Sequence, residues 1–296
     1  MNIWDSYKIG FRAFPGTSDH SSLAPRGNRG KAKEILLFFY HLVLRISPID
    51  YVRWREFAFA MEAIDTYMPS PEKILDISSP KLLPMTFAAN WKSSSVVSTD
   101  ILESEVSSVE TMGKRLRLDN LSCERMDARS LRFPDNSFDL ITSISVLEHI
   151  APENGGEGPA IREIHRVLSS GGVVILTVPF SRTYFAEYKK GNVYERKSDR
   201  GENQFFQRFY DWKTLMDNIV RSSSLELVSL RFIEERIFAK NPRKRLSHYI
   251  SGTWLRTLVF GPFYPLLSRV FLTGPKHLED CRNPYLACLV MKKTCS

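Results

Sequence analysis

The sequence predicts an α/β protein: a mostly parallel sheet with helices on both faces. Three observations predict it. From Lys73 onward, short β-branched or apolar segments alternate with segments of helical length. Three of the predicted strands close at, or just before, an acid: Asp76, Asp100 and Asp127. A helical segment then runs into Gly171-Gly172 and a nearly all-apolar strand, Val173 to Val178. At 296 residues, one core with additions is expected.

The elements follow in order. Residues 1–32 read as a flexible lead-in, because Gly16 to Lys33 is rich in Gly, Ser, Pro and Arg. Residues 33–72 read as an N-terminal helical cap ended by Pro69 and Pro71. Lys73 to Ile77 is a strand, and Pro80 to Ala89 a helix with Ser78 or Ser79 placed to cap it. Ser95 to Thr99 is a strand, Leu102 to Leu116 a helix, and Leu121 to Met126 a strand. Phe138 to Ser143 is a further strand, and Pro159 to Leu168 a helix closed by the two glycines. Ser181 to Gln207 is polar, aromatic and irregular; Asp211 to Val220 is a helix, and Leu225 to Phe232 alternates as a strand does. Residues 234–283 form an insertion, basic first and apolar later. Tyr285 to Lys293 is the last strand, with Pro284 just outside it. The core is thus 73–233 with 284–296.

The charge balance is +8, which suits anionic partners. No nucleic-acid recognition motif accompanies it, so nucleic acid is not the expected partner. Cys123, Cys281, Cys288 and Cys295 form no CxxC pair, and neither His165 nor His277 stands in zinc-like spacing to them; free thiols and no metal are expected. The N-terminus lacks a basic region followed by an apolar one, so no secretory signal is read there. Ile35 to Ile46 is too short to span a bilayer, and Thr253 to Leu272 carries Arg256, Arg269, Pro262 and Pro265. The expected location is the cytoplasm, with peripheral membrane contact suggested by the insertion. There Lys240, Arg243, Lys244 and Arg245 precede the apolar run Trp254 to Leu272.

Acids at strand ends carry the chemical argument. In an open parallel sheet, ligands bind outside the carboxyl ends of the strands, and a carboxylate can accept from both hydroxyls of a ribose. Asp100 follows Asp76 at the ~20-residue interval typical of such an acid. The stretch DARSLRFPDNSFDLITSISVLEHI, Asp127 to Ile150, with REIHRVLSSGGVVILTVPF, Arg162 to Phe180, resembles class I S-adenosylmethionine-dependent methyltransferases of the small-molecule, methyltransferase type 11-like kind. The resemblance covers about Lys73 to Phe180 and the closing strands. It implies a Rossmann-like sheet of seven strands, the last antiparallel, and S-adenosylmethionine as cofactor. By position it implies that Asp76 lies beside the methionine part, with Ser78 and Ser79 in the loop after it. It further implies that Asp100 meets the ribose, with the adjoining Ile101 also at the cofactor, that Asp127 and Ala128 meet the adenine, and that Ser143 passes under the methionine part.

The sequence departs from the family at the loop after Asp76. Glycines are usual where Ser78, Pro80 and Leu82 stand here. Glycine permits close approach and positive φ. His149, just past the fourth strand, is the candidate base. A metal-binding Glu-x-x-Glu-His would read Ser145-x-x-Glu148-His149, one acid short. Tyr184 to Tyr210, with Arg196, Arg200 and Arg208, and the N-terminal helix are the expected acceptor walls. The expected reaction is O-methylation of a small molecule or of a glycan or lipid-linked acceptor. The alternatives are a non-catalytic methyltransferase-like protein and, more remotely, a nicotinamide oxidoreductase, which lacks the usual Gly-x-Gly support.

Overall fold

The computed structural model describes residues 8, 48–152, 155–197, 201–237, 245–250 and 254–294. The expected lead-in apart from Lys8, residues 33–47 of the helical cap, and Lys240, Arg243 and Lys244 lie outside those residues. Helix α1, Arg53–Tyr67, is followed by strand β1, Lys73–Ile77, and helix α2, Leu82–Asn90. Next come β2, Ser95–Asp100, α3, Glu103–Leu116, and β3, Leu121–Arg125. Strand β4, Phe138–Ile144, leads into a 3-10 turn, Leu147–His149, then α4, Gly158–Val167, and β5, Leu168–Pro179. A hairpin follows, β6, Phe185–Lys190, and β7, Asn203–Phe209. Helix α5, Trp212–Leu215, continues as a π turn, Met216–Val220, before β8, Glu226–Glu234. Three short helices, α6, Leu246–Ile250, α7, Trp254–Phe260, and α8, Tyr264–Phe271, precede β9, Pro284–Lys292.

The main sheet has seven strands in the order β3-β2-β1-β4-β5-β9-β8. The first five pair in parallel, and β9 runs antiparallel to both β5 and β8. This is the Rossmann-like arrangement expected. Strand order reverses direction between β1 and β4, which leaves a crevice at the carboxyl edge. The central strands feed two cores because successive side chains point to opposite faces. Ile74 packs with α1 and α2 on one face, and Leu75 with α4 on the other; Ile175 and Val174 divide in the same way.

Four local expectations are corrected. Ser181 to Gln207 is not irregular throughout: β6 and β7 form their own two-stranded sheet, where Phe185 stacks on Phe209 at 4.4 Å. A register shift at Glu187/Tyr188 breaks the alternation that would have betrayed it. Gly171-Gly172 does not close a helix. Pairing jumps from Phe138↔Leu168 to Leu140↔Val173, so both glycines sit in a bulge inside β5. At Gly172 a Cβ would meet the Leu168 side chain and the Ser169 carbonyl oxygen, each at 2.8 Å. Neither Ser78 nor Ser79 caps α2, which begins two residues after Pro80 with no side-chain cap. Finally, Arg245 is no part of a solvated basic surface: it is buried, with Nη2 donating to the Pro284 carbonyl oxygen at 3.0 Å and Glu235 3.8 Å away.

Candidate functional site

The site begins with where each strand stops. Parallel pairing aligns Asp76 with Ser98 and Thr142, and Asp100 with Arg125, so the loops after β1, β2, β3 and β4 leave the sheet side by side. They enclose a cavity of about 500 Å³, within the usual range for a small-molecule site. Ser78 to Lys81 forms one wall, Asp100 to Leu102 the next, Met126 to Arg129 the third, and Ile144 to Val146 the floor. His149, Ile150 and Ala151 follow. Arg53, from α1, and Tyr194 and Glu195, from the β6–β7 hairpin, close the far end.

Of the residues singled out in the sequence, Ser78, Ser79, Asp100, Ile101, Asp127, Ala128 and His149 line this cavity. Asp76 and Ser143 do not: both are fully buried behind it. Asp76 accepts from Thr142 Oγ1 at 2.7 Å, and burial pushes its carboxyl up to about 7. The Ser79 hydroxyl accepts from the Ile144 N–H at 3.0 Å, which ties the first loop to the floor. Ser78 holds φ at +50°, the left-handed conformation in which glycine is comfortable, and Ser145 does the same at +53°. The glycine-like path of the loop is therefore kept although the glycine is gone, and the cavity beside it stays open.

Asp100 accepts from the Leu102 N–H at 2.8 Å; burial raises its carboxyl above the usual range. Asp127 behaves oppositely. Hydrogen bonds from the Arg129 guanidinium hold it below the usual range. Arg129 Nε lies 3.0 and 3.1 Å from the two oxygens, Nη2 2.6 Å from Oδ2, and the Arg129 N–H 2.9 Å from Oδ1. The Nε hydrogen is shared between the two oxygens, so three donor hydrogens occupy most of the carboxylate's acceptor capacity.

At the other end, Glu56 is buried without exposure and collects three donors. Ser145 Oγ and Thr177 Oγ1 each lie 2.6 Å from Oε1, and Arg53 Nη1 lies 2.5 Å from Oε2. The network fixes α1 to the ends of β4 and β5, and Arg53 comes to the cavity with it. His149 Nδ1 is 2.8 Å from the Phe206 carbonyl oxygen, so Nδ1 carries the proton and donates, which leaves Nε2 the basic nitrogen. Burial lowers the His149 pKa to about 4, so the ring is neutral at pH 7. Burial raises Glu148 to about 8, and its Oε1 stands 3.7 Å from His149 Nε2, too far for a hydrogen bond.

Arg53, Glu56, Arg129 and Tyr194 were not singled out in the sequence. Arg53 and Glu56, three apart on a helix, look like an ordinary surface ion pair until the tertiary fold buries one partner. Conversely, Arg208, expected at the acceptor wall, is buried in an ion pair with Glu157 and also donates to the Ile150 carbonyl oxygen. It braces the wall from behind. Arg196 lies over the Phe205 ring, and Arg200 falls outside the described residues.

A family model described as a methyltransferase domain matches residues 75–176. This segment is a methyltransferase domain. It supplies the sheet from β1 into β5, and with it every wall of the cavity except Arg53 and the hairpin. No curated protein matches the chain. Among solved structures, an S-adenosylmethionine-dependent methyltransferase from Clostridium acetobutylicum is similar at 12% identity and a TM-score of 0.52, over 89% of this chain and all of that one. One from Methanosarcina mazei is similar at 18% identity and 0.50, over 79% of this chain and 97% of that one. The cyclase SpnF is similar at 17% identity and 0.51, over 82% of this chain and 84% of that one. At such identities these likenesses speak for the fold.

The cofactor of a methyltransferase domain of this kind is S-adenosylmethionine, and the donor set of the cavity fits it. The group needs carboxylate acceptors for ribose hydroxyls, a small side chain beside a flat ring, and a cation partner for the carboxylate of an amino acid. Asp100, Ala128 and the cations Arg53 and Lys81 are of those types and share the cavity. Among the described residues, no group of three His, Cys, Asp or Glu could hold a metal ion.

Proposed function

We propose that this protein methylates an oxygen of a small molecule, or of a glycan or lipid-linked acceptor. The observation that carries the reading is a cavity with two chemically different ends. One is built from the methyltransferase segment and carries Asp100, Asp127 and Ala128; the other is built from α1 and the β6–β7 hairpin, which carry Arg53 and Tyr194, against His149 of the turn after β4. A transferase of this class needs both a cofactor end and an acceptor end. When bound, S-adenosylmethionine supplies an electrophilic methyl group on a sulfonium. In this reading Asp100 takes the ribose hydroxyls, Ile101 and Ala128 flank the ring, and Ser78 and Ser79 form the loop beside the methionine part. Asp76 acts from behind, by holding Thr142, and Ser143 lies buried behind the floor.

His149 is the proposed base. Its Nδ1 proton points to the Phe206 carbonyl oxygen, which leaves Nε2 free to receive the proton of an acceptor hydroxyl. A neutral ring at pH 7 is the required starting state. Arg53, held by Glu56, would orient an anionic group on acceptor or cofactor.

A second reading, a methyltransferase-like protein that no longer transfers, draws on one feature: Arg129 is ion-paired with Asp127, so an adenine amino group must compete with a guanidinium for that carboxylate. Titration calorimetry with S-adenosylhomocysteine separates the two. The first reading expects saturable binding that Asp100→Ala weakens about a hundredfold, the loss of two charge-assisted hydrogen bonds. No heat at high ligand concentration, with the protein folded, would favour the second.

A further inference from the structure

Helices α7 and α8, with the 3-10 turn Gly261–Phe263 between them, present an apolar face to solvent. Leu255, Val259, Phe263, Leu266 and Val270 are each between 45% and 59% exposed. Their spacing is helical. Taken as one run at about 100° per residue, they fall within a sector of about 80°. Gly261, Tyr264 and Ser268 are buried, and by the same count they lie on the opposite side. The run is thus an amphipathic element turned outward, with its small and hydroxyl-bearing residues against the protein. Single exposed apolar side chains are ordinary; a continuous line of five is not. Ile237 on the neighbouring segment and Tyr249 on α6 are exposed as well.

A second, independent observation lies beside the stripe. Arg55 Nη2 donates to the Leu272 carbonyl oxygen at 2.9 Å and reaches the Arg269 carbonyl oxygen at 3.4 Å. The Arg236 N–H donates to the Phe271 carbonyl oxygen at 2.7 Å. Arg236 and Arg269 both lie close enough to Arg55 to repel its guanidinium. Three arginines therefore gather at the C-terminal end of the stripe, and Arg256 is exposed near its start.

We propose that this face docks on an anionic lipid bilayer, with the five apolar side chains entering the acyl boundary and the arginines meeting lipid phosphates and carboxylates. Apolar burial combined with cations at the same depth is the chemistry of an interfacial element. Among the described residues no helix is long and apolar enough to cross a membrane, so the contact is peripheral. A second copy of the chain is the less favourable occupant: a two-fold contact through the stripe would set the arginine cluster against its own copy if parallel, or against Arg256 if antiparallel.

The test is vesicle sedimentation with the full chain. The protein should pellet with phosphatidylcholine vesicles containing about one-third phosphatidylserine and far less with phosphatidylcholine alone, and salt should weaken the binding. Leu255→Ser/Phe263→Ser/Leu266→Ser should lower the partition coefficient by more than about a hundredfold. Arg236→Glu should lower it by about tenfold. Melting curves of both variants should match the parent, since the altered side chains are exposed. The proposal is overturned by failure of the parent to pellet with anionic vesicles, or by a folded stripe variant that pellets as the parent does. A dimer in light scattering that the stripe variant dissociates would assign the face to a second copy instead.

Discussion

Ser78 offers a test in which the sign of a mutational effect reverses. Its φ of +50° places an L-residue in the left-handed region, at a cost of about 1–2 kcal/mol. Glycine escapes that cost but gives up roughly 0.5–1 kcal/mol of unfolded-state entropy relative to alanine. Glycine should therefore be more stable than alanine here by about 0.7 kcal/mol, whereas at ordinary negative φ alanine wins by a similar margin. Both lose the hydrogen bond from Ser78 Oγ to the Thr99 carbonyl oxygen, 3.2 Å long and half-buried, worth about 0.5–1 kcal/mol. Ser78→Gly should then lie near the parent and Ser78→Ala about 0.5–1 kcal/mol below it, a fall in Tm of about 2–3 °C. Urea unfolding of the three proteins measures the order directly. In titrations with S-adenosylhomocysteine, Ser78→Gly should bind at least as tightly as the parent. If Ser78→Ala is as stable as Ser78→Gly or more so, the loop does not follow the path of a glycine turn and the reasoning fails.

Two further outcomes are expected. Arg208→Ala should cost about 3–5 kcal/mol in urea unfolding, because Glu157 would be left buried with Asn218 as its remaining side-chain donor; Glu157→Gln added to it should recover part of the loss. Glu148, raised by burial to about 8 from 4.5, keeps a proton in the folded state that the unfolded chain sheds. Its contribution to stability is whole below about 4.5, declines as pH rises, and is gone above about 8. Asp76, raised to about 7, acts in the same direction, while His149, lowered to about 4 from 6.5, acts oppositely below 6.5. Between pH 6.5 and 8 the parent should therefore lose stability with rising pH by up to about 1.4 kcal/mol per unit from Glu148. Glu148→Gln should flatten that slope; an unchanged slope would show that Glu148 is ionised in the fold.

What could be read from the chain before folding was local or periodic. Strand Lys73–Ile77 was legible to the residue, because β-branched and apolar side chains were bounded by a proline-rich stretch and an acid. Asp100, Asp127 and His149 were legible because they stand at fixed offsets from strands, and parallel pairing brings strand ends together whatever the loops contain. The β6–β7 hairpin was not, since a shifted register hides alternation and a long connection, residues 191–202, replaces the tight turn that marks a hairpin. Arg208 left its expected place at the cavity, and Arg53, not singled out in the sequence, stands there, for one reason. Whether a guanidinium faces a cavity or a buried carboxylate depends on which helix packs over which loop, and residue type carries no record of that. The sequence by itself determined the layered α/β sheet and the edge at which a ligand sits. The tertiary structure alone decided that Asp76 stands behind that edge, that Glu56 brings α1 to the site, and that α7 and α8 turn their apolar side outward.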